Sequence, residues 1–347
     1  MKRIAYIDLM KVYAIFLVIL GHSPIWTGFV NQLEHSFAMP VFFALYGMTY
    51  NIERHAAKGF FTTDFVKQRF IRLMIPAIIW AIIYSMISPF DDNPFHLSNL
   101  LHIAYFSQAS LRYAGSLSSI WFIPCMFLAV LLTELIIGFI HKRSKGPKPT
   151  YKLIILAIIV LASITFVLPR FSRGYPWCTN LVPLATAMIL IGYLVRQIVD
   201  VSSNWCTIHK LSIPLALVLA FALLCLASWY NWLCITGKNV DMASAEFGNP
   251  MLYLLGAIAG IVMVVTVSII TCPPRLHPAI AFAGANTYGI FLVHKPLIIA
   301  LGTLLASVGY GNLFTAFLSA IIVLIISATL TFIIDKICPP LIGNKKN

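Results

Sequence analysis

Residues 7–23 read IDLMKVYAIFLVILGHS, an apolar run that nevertheless carries Asp8, Lys11 and His22. An ionisable side chain at the centre of a bilayer costs roughly 2.5–3.5 kcal/mol on insertion scales, so a run bound for lipid ordinarily excludes such groups. Lys11 and His22 stand eleven residues apart, and eleven steps of about 100° return to one helical face. Asp8, Ile15 and Val18 share that face. At a rise of about 1.5 Å per residue, the stripe holds a carboxylate and an ammonium at one end and an imidazole about 16 Å away at the other. Such a helix is expected to line a polar cavity inside a bundle.

Composition agrees. Of 347 residues, 60% are hydrophobic and only 10% charged, against about 25% charged in soluble domains. Mean hydropathy is +0.90. This is the profile of an integral membrane protein. The net charge of +13 does not indicate nucleic acid, because the basic residues are not gathered into a patch with exposed aromatics. The N-terminal run does not read as a secretory signal, since it carries Lys11 and ends at His22 without a small-residue cleavage site.

Scanning for apolar runs predicts about ten transmembrane helices, at 7–23, 37–50, 73–88, 120–140, 153–168, 181–199, 211–229, 250–270, 285–308 and 313–334. The second is short and can begin near residue 33. The fold class expected is an all-α integral membrane protein, one membrane-embedded domain over 1–347 with its bundle at about 7–334. Placing both termini inside puts eighteen basic residues in inner segments, with Arg112, Arg170, Arg173 and Lys238 outside. Lys11 and Lys295 remain in or near the membrane and complete the 24. The asymmetry predicts an N-in, C-in bundle. There is no internal repeat of the kind that builds two-halved transporters. The linker-like stretch is KRSKGPKPT, 142–150. The seven cysteines show no Cys-x-x-Cys pair and no Cys/His cluster, so no metal site is implied. Cys178 and Cys234 fall on the same outer side, where a disulfide is compatible with the spacing.

An imidazole is the usual general base for taking a proton from a hydroxyl, which makes His22 the first catalytic candidate. Its bland alternative is an interfacial histidine wetted by headgroups. Lys11 can bind an anion, snorkel to the interface, or pair with Asp8 at i−3. Lys67, Arg69 and Arg72, in VKQRFIRL, precede the third run. Basic clusters there commonly set topology or meet lipid headgroups, yet Arg-x-x-Arg also suits phosphates, because each guanidinium fork engages two oxygens. His35 opens HSFAMPVFFALYG on the same side as His22. Gly47 in that segment is expected at a close helix contact. Trp121 opens the fourth run as an interface aromatic, and Glu134 lies deep in it as a structural hydrogen-bonder or a cavity residue. In NTYGIFLVHKP, Asn286, Tyr288 and His294 are further cavity candidates, and Pro296 frees a backbone carbonyl. The outer segment DMASAEFGNP, with Asp241 and Glu246, is polar enough to touch a sugar. No Walker loop, dinucleotide fingerprint, His-Glu-x-x-His or Gly-x-Ser-x-Gly occurs.

Taken in order, DLMKVYAIFLVILGH, HSFAMPVFFALYG, KQRFIRLMIP, WFIPCMF, EFGNP and NTYGIFLVHKPLI resemble the integral-membrane acyltransferase 3 family, and within it the fucose 4-O-acetylase-like branch. The resemblance runs from about residue 8 to 298. It implies a membrane O-acyltransferase without a permanently bound cofactor, passing acetyl or another acyl group from cytosolic acyl-CoA to a hydroxyl of an envelope glycan or sugar precursor. The implied setting is the bacterial cytoplasmic membrane, with the lipid bilayer, acyl-CoA and a glycan as partners. The family's Arg-x(10)-His pair falls on Lys11 and His22, so lysine stands where the family has arginine: the charge is kept and the forked hydrogen bonding is lost. Its Arg-x-x-Arg falls on Arg69 and Arg72. A transporter or exporter of a lipid-linked or small sugar, without acyl chemistry, is the alternative that intramembrane charges also accommodate.

Overall fold

The computed structural model describes residues 4–87, 96–114, 118–144, 150–206 and 212–344. They are overwhelmingly helical, and among them the only paired extended backbone is one antiparallel bridge between Asp241 and Glu246. The chain opens with α1 (Ala5–Gly21), α2 (Phe29–His35), α3 (Ala38–Thr49) and α4 (Ile52–Lys58). Next come α5 (Thr63–Arg69), α6 (Ile75–Ile87), α7 (Ser98–Tyr105) and α8 (Gln108–Tyr113). The long helices α9 (Phe122–Arg143), α10 (Tyr151–Val167), α11 (Val182–Cys206) and α12 (Ser212–Cys234) follow. The last group is α13 (Pro250–Thr271), α14 (Pro278–Ala285), α15 (Thr287–Ser307) and α16 (Leu313–Ile337).

Seven helical stretches are long and apolar enough to cross a membrane: Thr63–Met86, Ser118–Arg143, Pro176–Asp200, Ser212–Cys234, Pro250–Thr271, Thr287–Ser307 and Leu313–Ile337. The remaining three apolar runs form shorter helices, α1 and α10 of 17 residues and α3 of 12. Twelve residues rise only about 18 Å, well short of the ~30 Å hydrocarbon layer. α3 is enclosed by protein, with Pro40, Val41, Phe43, Ala44, Leu45, Gly47 and Met48 buried.

Two element boundaries differ from the sequence reading for identifiable reasons. The third run extends back to residue 63 because the Thr62 side chain caps it, accepting from Phe65 N at 3.2 Å. Between α5 and α6 the helix widens into a π turn over Phe70–Met74. The ninth run breaks at Asn286, which ends α14 and starts α15. Pro296 does not break α15. The carbonyl of Leu292, which Pro296 cannot serve, accepts instead from Tyr84 Oη at 2.7 Å. Residues 145–149 of the polar inner stretch, and Lys2, Arg3, Lys210, Lys345 and Lys346 from the charge count, lie outside the described residues. Cys178 is buried, Cys234 is exposed, and both are free thiols.

Close packing sets the frame around the site. A Cβ on Gly47 would overlap the Ile189 carbonyl, and one on Gly192 would overlap that of Ala44. The backbones of α3 and α11 therefore approach as closely as small residues allow. Phe43 of α3, Phe122 of α9 and Phe291 of α15 form a ring chain with centroid separations of 4.8 and 5.5 Å. The last of these rings, Phe291, lines the same cavity as His22 at the end of α1.

Candidate active site

α1 ends at Gly21, and His22 caps it, its backbone N–H reaching the carbonyls of Val18 and Ile19. Its imidazole stacks on that of His294, with centroids 5.4 Å apart and planes 26° apart. His294 is wholly buried and its Nδ1 lies 2.8 Å from the Phe291 carbonyl. A carbonyl only accepts, so Nδ1 carries the proton. The next residue, Lys295, donates to Ser118 Oγ at 3.1 Å.

His22 opens onto a cavity of about 210 Å³ shared with Glu34, His35, Arg112, Trp121, Asp241 and Lys295. Glu34 Oε2 lies 2.7 Å from His35 Nδ1, which also faces the Asn31 carbonyl at 3.0 Å. Burial alone would lower the His35 pKa, but the adjacent Glu34 carboxylate, with Asp241 and the Asn31 carbonyl adding to it, outweighs burial and raises the value to about 9. His35 is therefore an imidazolium at neutral pH. Gly21 makes room for this pair, since a Cβ there would run into the Glu34 carboxylate. The segment that brings Asp241 to the cavity is tied to α2 and α8: Val240 N donates to Gln32 Oε1 at 2.8 Å, and Gln108 Nε2 to Asp241 Oδ2 at 3.4 Å.

A second cavity, of about 480 Å³, is lined by Arg54, His55, Lys58, Arg69, Arg72 and Glu134, among others. Arg69 and Arg72 flank the start of the π turn, a device common at functional sites because it re-aims side chains. The Arg69 guanidinium sits 5.3 Å from the Tyr46 ring centre and 5.2 Å from that of Phe65. Glu134 is buried and accepts from Tyr50 Oη at 2.7 Å, with His55 Nδ1 at 2.9 Å. It is thus both hydrogen-bonded and cavity-lining. Trp121, which caps α9, and Glu134 within it belong to the first and second cavities and stand thirteen residues apart, about 20 Å along the helix.

The structure brings His22, His294 and His35 to one site, and Arg69, Arg72 and Glu134 to another. It does not bring all candidates together. Lys11 lines neither cavity and pairs with Asp8 at 3.2 Å. Between Lys11 and His22 the stripe is open only as far as Val18, which lines the His22 cavity, and is closed at the buried Ile15. Lys67 is exposed on α5 and also lines neither cavity. Asn286 bonds Phe282 O and accepts from Asn344, while Tyr288 Oη donates to Leu73 O at 2.6 Å, so both serve the helix ends. Sequence reasoning passed over Glu34, Arg112, His55 and Tyr50. Only Glu34 left a local signal, an acid directly before His35.

Comparison with curated proteins gives no match. The acyltransferase 3 family model, described as an acyltransferase domain, matches residues 4–335, nearly the whole chain. With several apolar membrane-length helices and this match, the chain is a multi-pass membrane protein that belongs to the acyltransferase 3 family.

Proposed function

We propose that the protein moves an acyl group, acetyl from cytosolic acetyl-CoA, to a hydroxyl of an envelope glycan or sugar precursor, with His22 as general base. The observation that carries this reading is the pair of polar cavities about 20 Å apart along α9, one with Arg69 and Arg72 and the other with His22. The bundle is a single domain of ten spans, with α1, α3 and α10 completing the seven longer ones and both termini in the cytoplasm of a bacterial cell. The arginine cavity then faces the cytosol and its nucleotide, and the His22 cavity faces the acceptor side.

In this reading Arg69 and Arg72 hold the CoA phosphates by forked, charge-assisted hydrogen bonds. The pantetheine arm crosses between the cavities and presents its thioester carbonyl at His22. His22 takes the acceptor's hydroxyl proton as the oxygen bonds to the carbonyl carbon. The carbon–sulfur bond then breaks, and the imidazolium returns the proton to the departing CoA thiolate. Lys295 and Arg112 supply positive charge where the carbonyl oxygen becomes anionic. Lys11 stays close to Asp8 and contributes charge to the cytosolic half of α1.

Mass spectrometry of envelope glycans with and without the gene tests this reading. Loss of one acyl unit from a defined sugar in the strain lacking the gene is expected. Glycans of identical mass, together with sugar export that depends on the gene and not on acyl-CoA, would overturn it in favour of transport.

A further inference from the structure

The His22 cavity is small for a whole acceptor. Its 210 Å³ falls below the ~300 Å³ at which sites for drug-sized ligands begin, and so admits about one sugar-sized unit. It adjoins another cavity, of about 320 Å³, with Gln108 and Ala243 lining both. That neighbour is lined by Arg170, Phe171, Ser172, Tyr175, Asn180 and Glu246, among others. Phe171 and Tyr175 form an aromatic pair with centroids 4.8 Å apart, and Phe171 is 58% exposed.

This neighbour is built rather than incidental. Ser107 Oγ donates to Arg173 O at 2.6 Å, Tyr105 Oη to Gly174 O at 2.9 Å, and Trp177 Nε1 to Ala104 O at 2.9 Å. These three bonds pin the segment before α11 onto α7 and the turn that leads from it into α8. The edge that the two cavities share is held too: Ser244 Oγ is 2.8 Å from Gln108 Oε1 and 2.6 Å from Asp241 Oδ2. Exposed ring faces carry negative charge density and suit the C–H face of a pyranose, while Asn180, Ser172, Arg170 and Glu246 offer donors and acceptors for its hydroxyls.

We propose that the acceptor is a glycan chain of at least two sugar units, with the reacting unit in the His22 cavity and its neighbour in the adjoining cavity against Phe171 and Tyr175. This rests on the acyltransferase reading and narrows its acceptor to an oligomer or polymer rather than a free monosaccharide.

The test uses the purified full-length protein in detergent with radiolabelled acetyl-CoA. The probes are the host's envelope polysaccharide, freed of acyl groups by mild base, either intact or hydrolysed to monosaccharides. Intact chain is expected to have a kcat/KM per sugar about two- to tenfold above the monosaccharides. Phe171→Ala with Tyr175→Ala should bring the chain down toward the monosaccharide value, with the Kd for acetyl-CoA unaltered as the check on folding. Phe171→Tyr, which keeps the ring, should retain the preference. Equal kcat/KM on chain and monosaccharides, or a preference that survives the double substitution, overturns this proposal and leaves the acyltransferase reading intact. Transfer to neither probe by protein that also fails to bind acetyl-CoA overturns both.

Discussion

The imidazoles of His22 and His294 stack at 5.4 Å although 271 positions separate them in the chain. The contact joins the end of α1 to the middle of α15, and it braces the ring that lines the His22 cavity. His294 is a positioning residue here. Its Nδ1 is committed to the Phe291 carbonyl, so what it offers His22 is chiefly a flat, rigid face. Aromatic pairs of this kind contribute about 0.5–1.5 kcal/mol. His294→Ala is therefore expected to lower kcat by about three- to tenfold with KM for acetyl-CoA unchanged. His294→Phe, which preserves the stack, should recover most of that loss in a steady-state assay.

The Glu34–His35 pair makes a prediction about pH. The folded-state pKa of His35, about 9, exceeds the ordinary value near 6.5. Its stabilising contribution is complete below about pH 6.5 and is lost as pH rises through about 9. Thermal unfolding in detergent should show the melting temperature falling across that window. Glu34→Gln removes the carboxylate that raises the value, and the variant should show a much flatter profile there.

The arginine cavity predicts a split between binding and chemistry. Hydrogen bonds to charged groups contribute about 1.5–3 kcal/mol, so Arg69→Ala or Arg72→Ala should raise KM for acetyl-CoA by about ten- to hundredfold. Acceptor KM should hold. Lys67→Ala, at an exposed position that lines neither cavity, should change donor KM by less than about twofold. Initial-rate measurements with the donor varied at fixed acceptor check all three variants.

Gly47 tests the packing of α3 on α11. A methyl group there overlaps the Ile189 carbonyl, and overpacking typically costs about 1–3 kcal/mol. Gly47→Ala should lower the melting temperature by several degrees. Gly311→Ala, where an added Cβ meets open space, should leave it unchanged and serves as the comparison.

What was legible in the sequence follows from how far each signal reaches along the chain. An all-helical, multi-pass protein was written in the apolar runs, and the close contact at Gly47 in its lack of a side chain. His22 was visible because an imidazole in such a run is expensive, and Arg69 and Arg72 because both sit at helical spacing in one basic segment. The partner of His22 was not, since a stack between α1 and α15 depends on how the bundle closes. The π turn at Phe70–Met74 was equally hidden, because FIRLM has no residue that demands it. Pro296 announced a freed carbonyl but could not say that Tyr84 would satisfy it. Lys11 shows the limit from the other side: periodicity put it on the face of His22, yet Val18 lines the His22 cavity while Ile15, between it and Lys11, is packed in the core and lines neither cavity.

The central claim is that His22 performs the proton transfer, and purified His22→Ala protein tests it most directly. General-base help is typically worth 10²–10⁴-fold. The variant should bind acetyl-CoA with an unaltered Kd and transfer acetyl to the deacylated envelope polysaccharide at a kcat lower by about that factor. A variant that binds acetyl-CoA and retains near-normal kcat would contradict the assignment.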